Sequence, residues 1–142
     1  ILAAAPTTTS ELASAIRAVV PPSRDGIDPA TRSFQAVRML VNRELDELSA
    51  LLDALPRALA DAGVACLISF HSLEDRAVKA AFRDGARTCK CPPNFPICVC
   101  GLTPTLEILT KRPRRAGEDE VERNRRARSA KLRAARRLRR AS

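Results

Sequence analysis

VACLISFHSLEDRAVKAAF, residues 64–82, holds the sharpest change of pattern in the chain. A nearly unbroken apolar run, Val64 to Phe70, leads straight into His71, the single histidine. A short run that is apolar on both alternating faces fits a central strand covered on both sides, as in a parallel sheet. Ser72 and Asp75 then have the spacing of a capping-box variant. Leu73, Ala77, Val78, Ala81 and Phe82 follow as a helical stripe that stops at Gly85. Strand followed by capped helix is the repeating unit of an α/β sheet. In open parallel sheets, ligands bind beyond the carboxyl ends of the strands, which is where His71 and Ser72 fall. A turn histidine satisfied by backbone groups occupies the same position, so the pattern alone admits either a site residue or a polar stop.

Upstream, Thr8 and Glu11 have capping-box spacing, and Leu12, Ile16 and Val19 recur at helical intervals before Pro21 and Pro22. PPSRDGID is a loop by composition. Asp28 precedes Pro29, an N-cap followed by proline at the first helical position. From Pro29 to about Ala54 the apolar residues Phe34, Val37, Val41, Leu45, Leu48, Leu52 and Leu55 step by three and four, which predicts one long helix with a single buried face. Gln35, Arg38 and Asn42 line one flank of that stripe, either as boundary residues or as groups reaching into a cleft. Pro56 kinks or restarts the helix, and Gly63 suits a helix-ending position. Helix, buried strand and helix together give the α/β class.

Downstream, TCKCPPNFPICVCG carries Cys89, Cys91, Cys98 and Cys100 as two C-x-C pairs six residues apart, stiffened by Pro92, Pro93 and Pro96. Four thiolates gathered this way suit tetrahedral zinc, and a cysteine-rich surface loop is the plainer alternative. Cys66, inside the apolar run, is expected as a small core residue. LEILTKRP, residues 106–113, reads as a strand. An acidic patch, EDEVE, precedes RNRRARSAKLRAARRLRRAS. There Ala130, Leu132 and Ala134 alternate with Lys131 and Arg133, which suits an edge strand and a basic helix equally.

The charge is unevenly placed. Residues 1–110 carry 11 Lys+Arg against 12 Asp+Glu, whereas residues 111–142 carry 14 against 4. Such a block points to a polyanion, with arginine favoured because its planar fork matches phosphate. The alternative is a solvated basic tail. With 142 residues, the chain is one modest domain or part of a larger one. It has four Phe and neither Tyr nor Trp, no apolar stretch long enough to span a bilayer, and no signal-peptide pattern in ILAAAPTTT. Five cysteines without a secretory signal suggest a reducing, cytoplasmic setting rather than a disulfide framework. Met39 is the sole methionine, and the start reads as if cut from something longer.

Four stretches, PATRSFQAVRMLVNREL at 29–45, LISFHSLEDRAVKAAF at 67–82, CPPNFPICVCG at 91–101, and EILTKRPRR with NRRARSAKLRAA, resemble one family in this order and at these distances. It is the bacterial methyltransferase that modifies the N4 amine of a cytosine in small-subunit (16S) ribosomal RNA, using S-adenosylmethionine. The resemblance implies the C-terminal part of a Rossmann-like methyltransferase sheet with the end of a helical insertion domain. On that reading, residues 1–28 close the insertion, and 29–110, with the Cys-rich loop 89–101, belong to the Rossmann-like domain. Residues 111–142 give a basic segment with a final strand over Ser129–Ala135 and a flexible extension from Arg136.

The family's glycine-rich loop, ribose-binding acid and aspartate-led motif have no counterpart here. The glycines at 26, 63, 85, 101 and 117 form no G-x-G, so this chain alone is expected not to bind S-adenosylmethionine usefully and to be inactive. Cytosine N4 is a poor nucleophile, so positioning and extrusion of the base dominate the chemistry. For the active-site rim the resemblance implies Asn42, His71 and Ser72, with Asp75 and Arg76 supporting. His71 is not expected to act as a general base. Phosphates of the small-subunit RNA, or of the 30S subunit, fall to Arg112, Arg114, Arg115, Arg125, Arg126, Arg128, Lys131 and Arg133. No membrane partner is expected. Two rivals remain: a non-enzymatic basic RNA-binding protein with a zinc loop, and a truncated remnant without independent activity.

Overall fold

A computed structural model describes residues 5–24, 26–92 and 97–139. The chain forms two compact units, Ile1–Leu45 and Asp46–Ser142. In the first, helix α1 (Thr9–Val19) has the capping box read from sequence: the Glu11 amide donates to Thr8 Oγ1 at 3.2 Å, and the Thr8 amide to Glu11 Oε2 at 3.3 Å. It packs on α2 (Pro29–Val41), so this unit continues past residue 28. Asp28 caps α2 through the Ala30 amide at 2.8 Å, and its other oxygen accepts from the Arg17 guanidinium at 2.7 Å. The Arg17 guanidinium and then the Ala30 amide hold the Asp28 carboxyl below its ordinary range.

The expected single helix over 29–54 is two helices. Asn42 caps α2 and Arg43 turns left-handed at φ 52°, after which α3 (Glu44–Ala58) begins. Glu44 stabilises the break: it accepts from Arg38 Nε at 2.8 Å and Nη2 at 3.1 Å, and from the Asn42 side chain at 3.3 Å. The apolar stripe therefore does not form one face. Leu52 and Leu55 are buried, while Val37 and Val41 are 50% and 73% exposed and Ala30 and Met39 are the buried apolar residues of α2. Pro56 lies inside α3, within its last turn.

The second unit is a sheet with α3 and α4 (Ser72–Gly85) against one face. Strand β1 (Val64–Ser69) runs antiparallel to β4 (Lys131–Arg137), with Ala65 opposite Ala135 and Ser69 opposite Lys131. On the other edge of β4 lie β2 (Leu106–Ile108) and β3 (Arg114–Arg115), both antiparallel to it. Because β1 and β2 are each antiparallel to β4, they run parallel to one another, with β4 between them. The strand expected at 106–113 is thus broken. Leu109 and Thr110 both donate to the Ala134 carbonyl, at 3.0 and 3.2 Å, before β3 rejoins the ladder. Two amides converging on one carbonyl make a bulge-like interruption of the pairing.

The core is Leu52, Leu55, Ala65, Val78, Phe82, Leu106 and Ala135, with Leu67, Ala77, Ala81 and Ile108 packed around it. All of it lies on one sheet face. On the opposite face Val64 and Ile68 are 46% and 59% exposed and Cys66 is exposed, so β1 is neither covered on both sides nor a home for a core cysteine among the described residues. Its neighbour there is antiparallel, not parallel. The basic segment forms a strand, as the resemblance implied, and the strand reaches Arg137. Arg136 and Arg137 are therefore part of the sheet rather than a loose extension; residues 140–142 lie outside the described residues.

Candidate nucleic-acid interface

The turn after β1 is built by His71 and Glu74. His71 has extended backbone angles and is the N-cap of α4: its Nδ1 accepts the Glu74 amide at 3.3 Å. The Glu74 carboxylate reaches back to the amides of Phe70 at 2.8 Å and His71 at 3.3 Å. This is a capping box one residue earlier than the Ser72–Asp75 pair read from sequence. The other ring nitrogen, Nε2, points back toward the Glu74 carboxylate. That atom is buried and lies 3.2 Å from Glu74 Oε1, but off the line that a hydrogen bond requires. The Nδ1 lone pair therefore serves an amide of the helix that His71 caps, and the ring holds the turn in shape.

Asp75, released from capping, crosses to the sheet. Its carboxylate accepts from Arg133 Nε at 2.7 Å and Nη2 at 3.3 Å, and from Lys131 Nζ at 3.5 Å. The Arg133 side chain is 7% exposed and that of Asp75 14%. The Arg133 guanidinium, with help from Lys131, holds the Asp75 carboxyl below its ordinary range despite the opposing effect of burial. Arg133 is therefore committed inside the fold and unavailable to phosphate. Arg76, on the same turn of α4, is exposed.

Against this turn lies a cavity of about 300 Å³ lined by Phe70, His71, Ser72, Arg115, Arg128, Ser129, Ala130 and Lys131. Its cations come from three places in sequence. β3 supplies Arg115, and a 3₁₀ turn over Arg125–Ser129 supplies Arg128. The first residue of β4 supplies Lys131. Asn124 starts that 3₁₀ turn by accepting the Arg126 amide at 3.1 Å. Arg115 and Arg128 are exposed and free to turn toward a ligand. Three cations beside the Ser72 and Ser129 hydroxyls suit a phosphate. Phe70, 56% exposed at the rim, offers a ring face to an unstacked base.

His71 and Ser72 thus share one cavity with Arg115, Arg128 and Lys131. Arg112, Arg114, Arg125 and Arg126 are exposed outside it. Asn42 lies in the first compact unit, exposed, with its side-chain amide on Glu44. Phe70 and Glu74 were missed from sequence. The signal for Glu74 was its position three residues after His71; that for Phe70 was an aromatic at the strand end, hidden within an apolar run. Cys89, Cys91, Cys98 and Cys100 sit together on the connection between α4 and β2.

The sequence model of the MraW methylase family matches residues 3–138. The chain is 49% identical over 132 residues to the ribosomal RNA small subunit methyltransferase H of Caldicellulosiruptor saccharolyticus, covering 93% of this chain and 43% of that protein. The protein of the same name from Heliobacterium modesticaldum is 50% identical over 133 residues, covering 92% and 42%. That of Solidesulfovibrio magneticus is 61% identical over 110 residues, covering 78% and 34%. The chain spans less than half the length of these curated relatives.

Proposed function

The chain belongs to the MraW methylase family, and on that premise we propose that it is the RNA-gripping portion of an S-adenosylmethionine-dependent methyltransferase acting on the N4 amine of a cytosine in small-subunit ribosomal RNA. The observation that carries this reading is the cationic cavity at the carboxyl end of β1. A phosphate of the RNA enters between Arg115, Arg128 and Lys131, with the Ser72 hydroxyl as a further donor. The ring of Phe70 receives a base turned out of its stack. His71 holds the turn in shape, and Asp75 anchors α4 to β4 through Arg133, so both position the cavity wall. Arg112, Arg114, Arg125 and Arg126 extend the phosphate track, with Arg76 supporting. Asn42, in the other compact unit, is a candidate on the family resemblance alone. β1 and β2 running parallel, joined through α4, support a place in a Rossmann-like sheet.

The residues present do not fit the methyl donor. S-adenosylmethionine carries a cationic sulfonium, which a cavity lined by two arginines and a lysine repels. The two glycines with left-handed backbone, Gly26 and Gly101, stand alone, without a second glycine to shape a cofactor turn. In this reading the donor is held by the rest of the length that the relatives have, and this portion presents the acceptor.

Fluorescence anisotropy with small-subunit rRNA fragments tests the assignment. Affinity is expected to fall steeply with salt, with a slope of about −0.7 to −0.9 in log–log form per phosphate contact. Arg115→Ala and Arg128→Ala are each expected to flatten that slope by about one contact, whereas Arg133→Ala is expected to unfold the chain before it changes the slope. RNA affinity indifferent to salt, or unchanged in the Arg115→Ala/Arg128→Ala double variant, would remove the cavity from the RNA path.

A further inference from the structure

The connection from α4 to β2, Ala86 to Thr105, has no helix or strand among its described residues. Bare loops beyond about 12–15 residues are uncommon in compact domains unless something else fixes them. Its ends are pinned, since the Thr105 amide donates to the Gly85 carbonyl at 2.8 Å. Between them Cys89, Cys91, Cys98 and Cys100 converge, all four sulfurs within 4.8 Å of one another. The separations are 3.4 Å for Cys89–Cys98, 3.5 Å for Cys98–Cys100, 3.8 Å for Cys89–Cys100 and 3.9 Å for Cys91–Cys98.

Burial does not explain this convergence. Three of the four residues are exposed and Cys91 is half-buried, so no apolar core gathers them. Nor is it a disulfide arrangement: bonded sulfurs stand about 2.0 Å apart, and all five cysteines are free. A tetrahedral ion with metal–sulfur bonds of about 2.3 Å sets sulfur–sulfur edges of about 3.8 Å, the scale observed here. Backbone amides also point at the sulfurs. The Cys91 amide donates to Cys89 Sγ at 3.3 Å and the Lys90 amide to Cys100 Sγ at 3.4 Å, and Leu102 supplies a second amide to Cys100. Such outer partners stabilise thiolate charge and fix ligand orientation, as in metal sites.

The geometry points to a structural zinc site in which Cys89, Cys91, Cys98 and Cys100 bind one Zn²⁺ as four thiolates. Their four protons pass to solvent on binding. With four sulfur ligands and no open position, the ion performs no chemistry on a substrate and instead closes the loop between α4 and β2. Sulfur-only tetrahedral donors select zinc or iron, and the absence of any need for electron transfer in a loop staple favours zinc. This inference does not depend on the RNA reading.

The test is made on the full chain, purified reduced. Elemental analysis is expected to give one zinc per chain, released stepwise as a mercurial blocks the thiols. Metal-free reduced chain titrated with Co²⁺ is expected to develop thiolate-to-cobalt charge-transfer bands and the strong d–d absorption of a tetrahedral site. Cys98→Ser should abolish stoichiometric zinc, whereas Cys66→Ser, on β1, should leave it unchanged. Circular dichroism on each variant distinguishes a lost ligand from a lost fold. A folded, reduced chain that gives no tetrahedral cobalt spectrum would overturn the proposal. So would an intact mass lower by four hydrogens, the signature of two disulfides. One equivalent of iron would overturn the choice of zinc.

Discussion

At the turn after β1, the Nδ1 lone pair of His71 is occupied by the Glu74 amide, which separates capping from chemistry in a way that mutation can read. His71→Ala is expected to cost about 1 kcal/mol of stability, the usual loss for a helix cap. His71→Asn, which keeps a side-chain acceptor, is expected to recover most of it in urea titrations. If the two variants are equally unstable, the capping role is wrong. Asp75 makes a larger contribution, because removing it leaves the buried Arg133 guanidinium without a partner. Asp75→Asn is expected to cost on the order of 3 kcal/mol at neutral pH. The pH dependence follows from the direction of the shift. The Asp75 carboxyl titrates lower in the folded chain than in the unfolded one, where its ordinary value is 3.8. Its contribution is therefore complete above that value and is lost as the pH falls through the folded value. Thermal melts should show the native chain losing stability in that acid window, with the Asp75→Asn variant flatter across it.

Among the elements, two tight turns predict opposite outcomes for the same pair of residue types. At the turn from α3 into β1 the sequence offers Gly63 as the helix-ending residue, but the left-handed residue is Ala62, at φ 63°. Gly63 is required for another reason: a β-carbon there would sit 2.8 Å from the Ala60 carbonyl oxygen. Ala62→Gly relieves an unfavourable backbone conformation and is expected to stabilise the fold by up to about 1 kcal/mol. At the end of α4, a β-carbon on Gly85 would meet Leu106 Cδ1 at 2.6 Å, and Leu106 is 3% exposed. Gly85→Ala is expected to destabilise by about 1–2 kcal/mol, overpacking outweighing the better helix propensity. Melting temperatures moving in the same direction for both variants would contradict this geometry. The helix break at Asn42–Arg43 was illegible in sequence for a related reason. No glycine or proline marks it, and a non-glycine residue takes the left-handed position while Glu44 bonds across the break.

For the whole molecule, the sheet has one face under α3 and α4 and the other open at Val64, Cys66 and Ile68. No helix of the described residues is long and apolar enough to cross a membrane. The cationic cavity and the sulfonium charge of the methyl donor are mismatched, so calorimetric titration of this chain with S-adenosylmethionine is expected to give no measurable heat of binding. Micromolar affinity would show that the donor pocket lies within these residues after all. RNA binding without donor binding is the combination expected of a portion that presents the acceptor.

By itself the sequence determined the α/β class, the caps of α1 and α2, the helix over Ser72–Gly85 and the family, because each rests on local spacing or on long motifs. It also marked the His71–Ser72 turn and the four cysteines as the places to look. Tertiary structure alone decided that β4 lies antiparallel between β1 and β2, since hydrogen-bond partners distant in sequence leave no local pattern. It alone turned Arg133 inward to Asp75 and left Arg115 and Arg128 facing the turn. Identical residue types in one basic segment look alike until the fold gives them different partners: Arg133, on the same face of β4 as the buried Ala135, meets Asp75 of α4, whereas Arg115 on β3 and Arg128 on the 3₁₀ turn stay exposed.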